Sequence, residues 1–197
     1  MRKLKLQMQI TIDGFVAAPE GSARWATNFD MMDQQLSAFV DQLIDGSDTI
    51  LLGRKMTPDF IRYWESVVTK PESAEYRFGQ KMVATPKVVF SKTLHHVDGQ
   101  NVRVENGELV DAVNKLKRQA GKDIIVYGGA SFVSSLIERD LIDELNFFIN
   151  PVAIGEGLRL FHGRKRFTLK GSSAYPCGIV VHTYGTKVVH PEKSVTC

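Results

Sequence analysis

The sequence predicts an α/β fold: a mostly parallel central sheet covered by helices on both faces, with an antiparallel hairpin at its C-terminal end. Three observations predict it. Short apolar runs of strand length, at residues 48–52, 87–90 and 123–127, alternate with stretches of helical periodicity. These runs are nearly continuous in apolar character, as strands buried on both faces are. Residues 167–174 and 179–186 flank the turn Tyr175-Pro176-Cys177-Gly178, which is the pattern of a hairpin.

In chain order, residues 4–12 alternate, with Leu4, Leu6, Met8, Ile10 and Ile12 on one face and Lys5, Gln7, Gln9 and Thr11 on the other. That is a strand of period 2, stopped by Asp13-Gly14. Residues 17–28 are rich in proline, glycine and small side chains and read as a loop. Leu36, Phe39, Val40, Leu43 and Ile44 recur at helical spacing before Gly46 stops the helix. The strand at 48–52 breaks at Gly53-Arg54-Lys55, and a helix carrying Phe60, Tyr63 and Trp64 follows. Residues 73–83 read as another short helix. The strand at 87–90 ends in Ser91-Lys92-Thr93, and 102–104 is a weaker strand. Leu109, Val113 and Leu116 mark a helix running into Gly121. The strand at 123–127 ends in Gly128-Gly129-Ala130-Ser131, which opens a helix with Phe132, Val133, Leu136 and Ile137. Residues 142–149 form the next strand. Residues 1–189 read as a single domain and 190–197 as a loose polar tail.

Composition sets outer bounds. The 197 residues are 43% hydrophobic and 24% charged, which is globular. A net charge of +3 without a dense basic block argues against a nucleic-acid partner and suits a phosphate-bearing ligand. Two cysteines, Cys177 and Cys197, make neither a disulfide framework nor a metal cluster and fit a reducing cytoplasm. The N-terminus lacks the apolar core of a signal peptide, and no run reaches the roughly 18 apolar residues of a membrane span. The expectation is a cytoplasmic protein without a membrane or metal partner.

The chemistry gathers at three strand ends. Ligands in open α/β sheets bind beyond the carboxyl ends of the strands. Gly53 and Gly128-Gly129 let backbone approach a ligand closely. The helices after them offer free N–H groups and a dipole that favours phosphate. Arg54, Lys55 and Lys92 add charge, and Ser91, Thr93 and Ser131 add hydroxyl donors. Any one glycine after a strand is an ordinary turn, and no G-x-G-x-x-G fingerprint is present. Repeated at successive strand ends, these residues describe a pocket for a pyrophosphate and an additional phosphate, the profile of NADPH.

The same segments carry a resemblance. Thr49-Ile50-Leu51-Leu52-Gly53-Arg54-Lys55-Met56-Thr57, Val88-Val89-Phe90-Ser91-Lys92-Thr93-Leu94 and Ile124-Ile125-Val126-Tyr127-Gly128-Gly129-Ala130-Ser131-Phe132 resemble the cofactor-binding strand ends of dihydrofolate reductases. Thr11-Ile12-Asp13-Gly14, Leu141-Ile142-Asp143-Glu144-Leu145 and Pro151 through Gly155-Glu156-Gly157 to Leu160-Phe161 resemble the reductase domain of the riboflavin-specific deaminase/reductase. The likeness covers about residues 4–186. It implies a dihydrofolate reductase-like three-layer α/β/α fold, a homodimer and an NADPH-dependent reductase. The implied cofactor contacts are Gly53, Arg54, Lys55, Ser91, Lys92, Thr93, Gly128, Gly129, Ala130, Ser131 and Phe132. Met56 departs from the pattern, which has a threonine there, and Thr57 stands next to it. The chain has no room for a deaminase domain and lacks its Cys-x-x-Cys zinc pattern.

Two carboxylates are candidates for proton supply. Asp30 stands five residues after Trp25, a spacing similar to the Trp and Asp of dihydrofolate reductases, and also reads as the cap of a helix starting near Met31. Asp13 borders the same cleft and also reads as an ordinary Asp-Gly turn. The loop at 14–28 has the length of a lid over the reacting ring. The implied substrates are a phosphoribosylated aminouracil or a dihydropterin. The competing expectation is a nucleotide-binding protein without catalysis.

Overall fold

The computed structural model describes residues 1–26 and 33–186. Eight strands form one sheet: β1 (Leu4–Thr11), β2 (Ser47–Gly53), β3 (Lys87–Phe90), β4 (Val102–Glu105), β5 (Asp123–Gly128), β6 (Glu144–Asn150), β7 (Thr168–Ala174) and β8 (Val180–Gly185). Their spatial order is β4-β3-β2-β5-β1-β6-β8-β7. The first six are mutually parallel, and β8 pairs antiparallel with both β6 and β7. The hairpin therefore extends one edge of the parallel sheet. Among the described residues the helices are α1 (Gln34–Asp45), α2 (Thr57–Val67), α3 (Tyr76–Ala84), α4 (Leu109–Arg118) and α5 (Ala130–Glu138).

Burial on both faces explains why the central strands read as apolar runs. One face packs Leu51, Val126, Leu6 and Leu145 against Val113, Leu116, Val133 and Leu136 of α4 and α5. The other packs Ile50, Leu52, Ile125 and Phe148 against Leu36, Val40 and Leu43 of α1 and Met82 of α3. The alternation in β1 had assigned Gln7 and Thr11 to a polar face, yet they are 8% and 2% exposed. Central position in a sheet covered on both sides overrides the pattern. Ile12, expected to continue the apolar face, is 64% exposed, because Gly14 N–H donates to the Thr11 carbonyl at 3.0 Å and ends the strand in a turn.

Helix α1 begins at Gln34, four residues after Asp30. Its cap is Asp33, whose Oδ1 accepts from Gln35 N–H at 2.9 Å and Leu36 N–H at 3.1 Å. Two of the helix's free donors are satisfied in this way. Asp30 itself lies outside the described residues, as does the tail at 190–197. No helix among the described residues is long and apolar enough to cross a membrane.

Candidate functional site

The sheet order makes the three sequence motifs neighbours. β3, β2 and β5 are consecutive, Gly53 lies level with Phe90, and Leu52 lies level with Gly128. An open groove of about 290 Å³ runs across these ends, walled by Gly53, Arg54, Lys55, Phe90, Ser91, Lys92, Gly129, Ser131, Phe132 and Ser135. Eight of the expected cofactor contacts are therefore brought together. Thr93, Gly128 and Ala130 are not in the wall. Phe90 and Ser135 were missed. Ser135 follows Ser131 by one helical turn and shares its face, a signal available from periodicity.

Each wall is built by a local rule. At the end of β5, Gly128 has φ of 146° and Gly129 has φ of 27°, a path that glycine follows without a Cβ penalty. That path turns the chain directly into α5. Helix α5 has no side-chain cap, so its first-turn N–H groups face the groove without an internal partner. Free N–H groups together with the helix dipole form an anion cradle. Gly53 has a packing reason as well: a Cβ there would sit 2.8 Å from Phe132 Cβ. Its bareness lets α5 lie close over β2, while Phe132 stacks on Phe90 with ring centres 5.2 Å apart.

Arg54 and Lys55 are exposed on the turn between β2 and α2 and form no ion pair among the described residues. The hydroxyl sought beside them is absent. Thr57 is wholly buried and its Oγ1 donates to the Gly53 carbonyl at 3.0 Å. Met56 lies with its sulfur 2.9 Å from where a Cβ on Gly128 would stand. Thr57 thus fastens the turn and Met56 covers the end of β5. Ser91 Oγ accepts from Thr93 N–H at 3.1 Å and Leu94 N–H at 2.9 Å, which shapes the turn that presents Lys92. Lys92 Nζ is 2.6 Å from Glu108 Oε1, and that contact holds the Glu108 carboxyl below its ordinary range.

One strand further along, Asp13 follows the end of β1. Its Oδ1 accepts from Thr11 Oγ1 at 2.5 Å, and its Oδ2 accepts from Ile154 N–H at 3.0 Å and Gly155 N–H at 2.8 Å. The Thr11 hydroxyl, ahead of the two backbone donors, holds the carboxyl below the usual carboxylate range. Gly157 completes this junction, since a Cβ there would come within 2.2 Å of the Ala17 carbonyl. Ala17 and Leu158 form an antiparallel bridge, and Phe15, Val16 and Ala17 are buried. The early Asp-Gly motif and the late Gly-x-Gly motif are thus two halves of one junction. The loop proposed as a lid is pinned over its first residues.

Comparisons with known proteins find relatives along nearly the whole chain. The RibD C-terminal domain matches residues 2–181. The uncharacterised protein YyaP of Bacillus subtilis (strain 168) is 34% identical over 188 residues, covering 93% of this chain and 94% of that one. The riboflavin biosynthesis protein RibD of Corynebacterium ammoniagenes is 26% identical over 172 residues, 86% of this chain and 49% of its own length. The crystal structure of a diaminohydroxyphosphoribosylaminopyrimidine deaminase/5-amino-6-(5-phosphoribosylamino)uracil reductase from Thermotoga maritima superposes with a TM-score of 0.65. It is 15% identical, covering 94% of this chain and 57% of that one. The fold shared with it is the dihydrofolate reductase-like one that the sequence predicted.

Proposed function

The chain belongs to the RibD C-terminal domain family, and from that premise we propose that it is an NADPH-dependent reductase of a pyrimidine-like ring. The substrate to test first is 5-amino-6-(5-phosphoribosylamino)uracil, named by the reductase whose fold it shares. The observation that carries the reading is the uncapped start of α5 facing unpaired Arg54 and Lys55 across one groove, since these groups fit the phosphates of a dinucleotide. Bound there, NADPH would supply a hydride.

The chain's own residues do the holding. The N–H groups that open α5, with Ser131, take the pyrophosphate. Arg54, Lys55 and Lys92 take phosphate charge, and Phe90 and Phe132 floor the groove. Asp13 is held ionised, which suits a clamp between β1 and the 154–155 turn better than a proton donor at neutral pH. That leaves Asp30 as the carboxylate to test for proton supply. Dihydrofolate is the second substrate, supported by the Trp25-to-Asp30 spacing.

Fluorescence titration with NADPH, followed by absorbance at 340 nm with each substrate, tests the reading. Binding in the micromolar range and oxidation that depends on the aminouracil are expected. NADPH binding without turnover of either substrate would favour a non-catalytic nucleotide-binding protein. Absence of NADPH binding would end the proposal.

A further inference from the structure

We propose that Glu108 sets the choice between phosphorylated and unphosphorylated dinucleotide by competing with the 2′-phosphate for Lys92. The inference rests on the NADPH reading of the groove and adds a residue that the sequence motifs do not contain.

Lys92 is the cation at the far wall of the groove, on the turn after β3. Its ammonium is already engaged outside the groove, with Glu108 Oε1 at 2.6 Å and the Gly107 carbonyl at 3.3 Å. Glu108 precedes α4, and its carboxylate makes no cap bond to that helix. Its side chain is 77% exposed and that of Lys92 is 63% exposed. An exposed pair of this kind is weak and readily exchanged. A phosphate dianion arriving at Lys92 must therefore share or displace the carboxylate and meets its like charge at close range. A 2′-hydroxyl meets no such repulsion and can donate a hydrogen bond to the same carboxylate. Glu108 thus lowers affinity for the phosphorylated cofactor selectively, acting through Lys92 as a positioning residue.

The test measures NADPH and NADH dissociation constants by fluorescence for the wild type, E108Q and E108D, with 2′,5′-ADP and 5′-AMP as non-reducible probes. E108Q should tighten NADPH and 2′,5′-ADP by roughly threefold to tenfold, given the modest strength of exposed charge pairs, and leave NADH and 5′-AMP within about twofold. E108D should keep the wild-type ratio. In a K92M background the E108Q effect on the NADPH/NADH ratio should differ clearly from its size in the wild type, a coupling that a merely structural role would not produce. Glu108→Ser, which places a good helix N-cap at that position, gives a second neutral variant that should fold at least as stably as the wild type. An unchanged ratio in both neutral variants, or equal tightening of both dinucleotides, would overturn the proposal while leaving the NADPH reading in place. Failure of the wild type to bind either dinucleotide would remove both.

Discussion

At the scale of single residues, the groove separates side chains that hold the protein from those left free for a ligand. Lys92→Ala should weaken NADPH by about tenfold or more, because a charge-assisted phosphate contact is lost, and should weaken NADH far less. Equal loss for both in a fluorescence titration would count against the 2′-phosphate role. Asp13, outside the groove, also holds the protein. Its folded value lies below the ordinary 3.8, so the stability it contributes is fully present above about that pH. That stability is lost as pH falls through the folded value. Asp13→Asn should flatten this acid limb in denaturant melts, while a limb unchanged by the substitution would show that Asp13 is not part of the clamp. Arg54, Lys55 and Lys92 stood out in the sequence as candidates because cations and glycines recur at successive strand ends. Glu108 was not legible, since its partner lies 16 residues away and only the β3–β4 pairing brings the two together.

At the scale of elements, the start of α5 is the decisive feature, and it can be probed without breaking the fold. Ser131→Asp places a carboxylate in the first turn, where the helix dipole favours it. Stability should hold or rise by about 0.3–1 kcal/mol, while NADPH and NADH both weaken more than tenfold as the carboxylate occupies the anion cradle. Thermal melts beside titrations separate the two effects, and cofactor binding at wild-type strength would displace the pyrophosphate from α5. Gly157→Ala probes the junction between the 15–17 segment and the chain after β6. The added Cβ would come within 2.2 Å of a backbone oxygen, so a loss of roughly 1–3 kcal/mol is expected in chemical denaturation. The sequence shows each of these elements because apolar runs and glycines mark their ends. It does not show that Asp13-Gly14 and Gly155-x-Gly157 touch, since more than 140 residues separate them and only the pairing of β1 with β6 closes the gap. The start of α1 was also hidden: Asp33 is one of several polar residues ahead of the periodic run that could cap by type, and only its bonds to Gln35 and Leu36 N–H single it out.

Across the whole molecule, the sheet assigns its two ends different tasks. The carboxyl ends of β3, β2 and β5 hold the groove, and the opposite ends hold a network of buried charge. Arg2, 7% exposed, donates from its guanidinium to Asp48, to Thr49 Oγ1 at 2.7 Å and to the Lys122 carbonyl at 2.5 Å. Lys117, 4% exposed, reaches the Leu141 carbonyl at 3.0 Å and Asp143 Oδ2 at 2.5 Å. The same Asp143 oxygen accepts from Leu4 N–H at 2.7 Å, tying the start of β1 to the start of β6. Asp143 belongs to the segment whose likeness to the riboflavin-type reductases helped to identify the family, yet its contacts lie at the end of the sheet away from the groove. Family resemblance there reports the way the sheet is fastened. Lys117→Ala leaves Asp143 half-exposed without its cation and removes a packed aliphatic stem, so about 2–4 kcal/mol of stability should be lost in urea unfolding. NADPH affinity, measured where the variant is still folded, should stay within about twofold, since sites this far apart with no shared partner act independently. A tenfold loss of cofactor binding in folded Lys117→Ala would mean that the two ends of the sheet are coupled, and the division of tasks along the strands would fail with it.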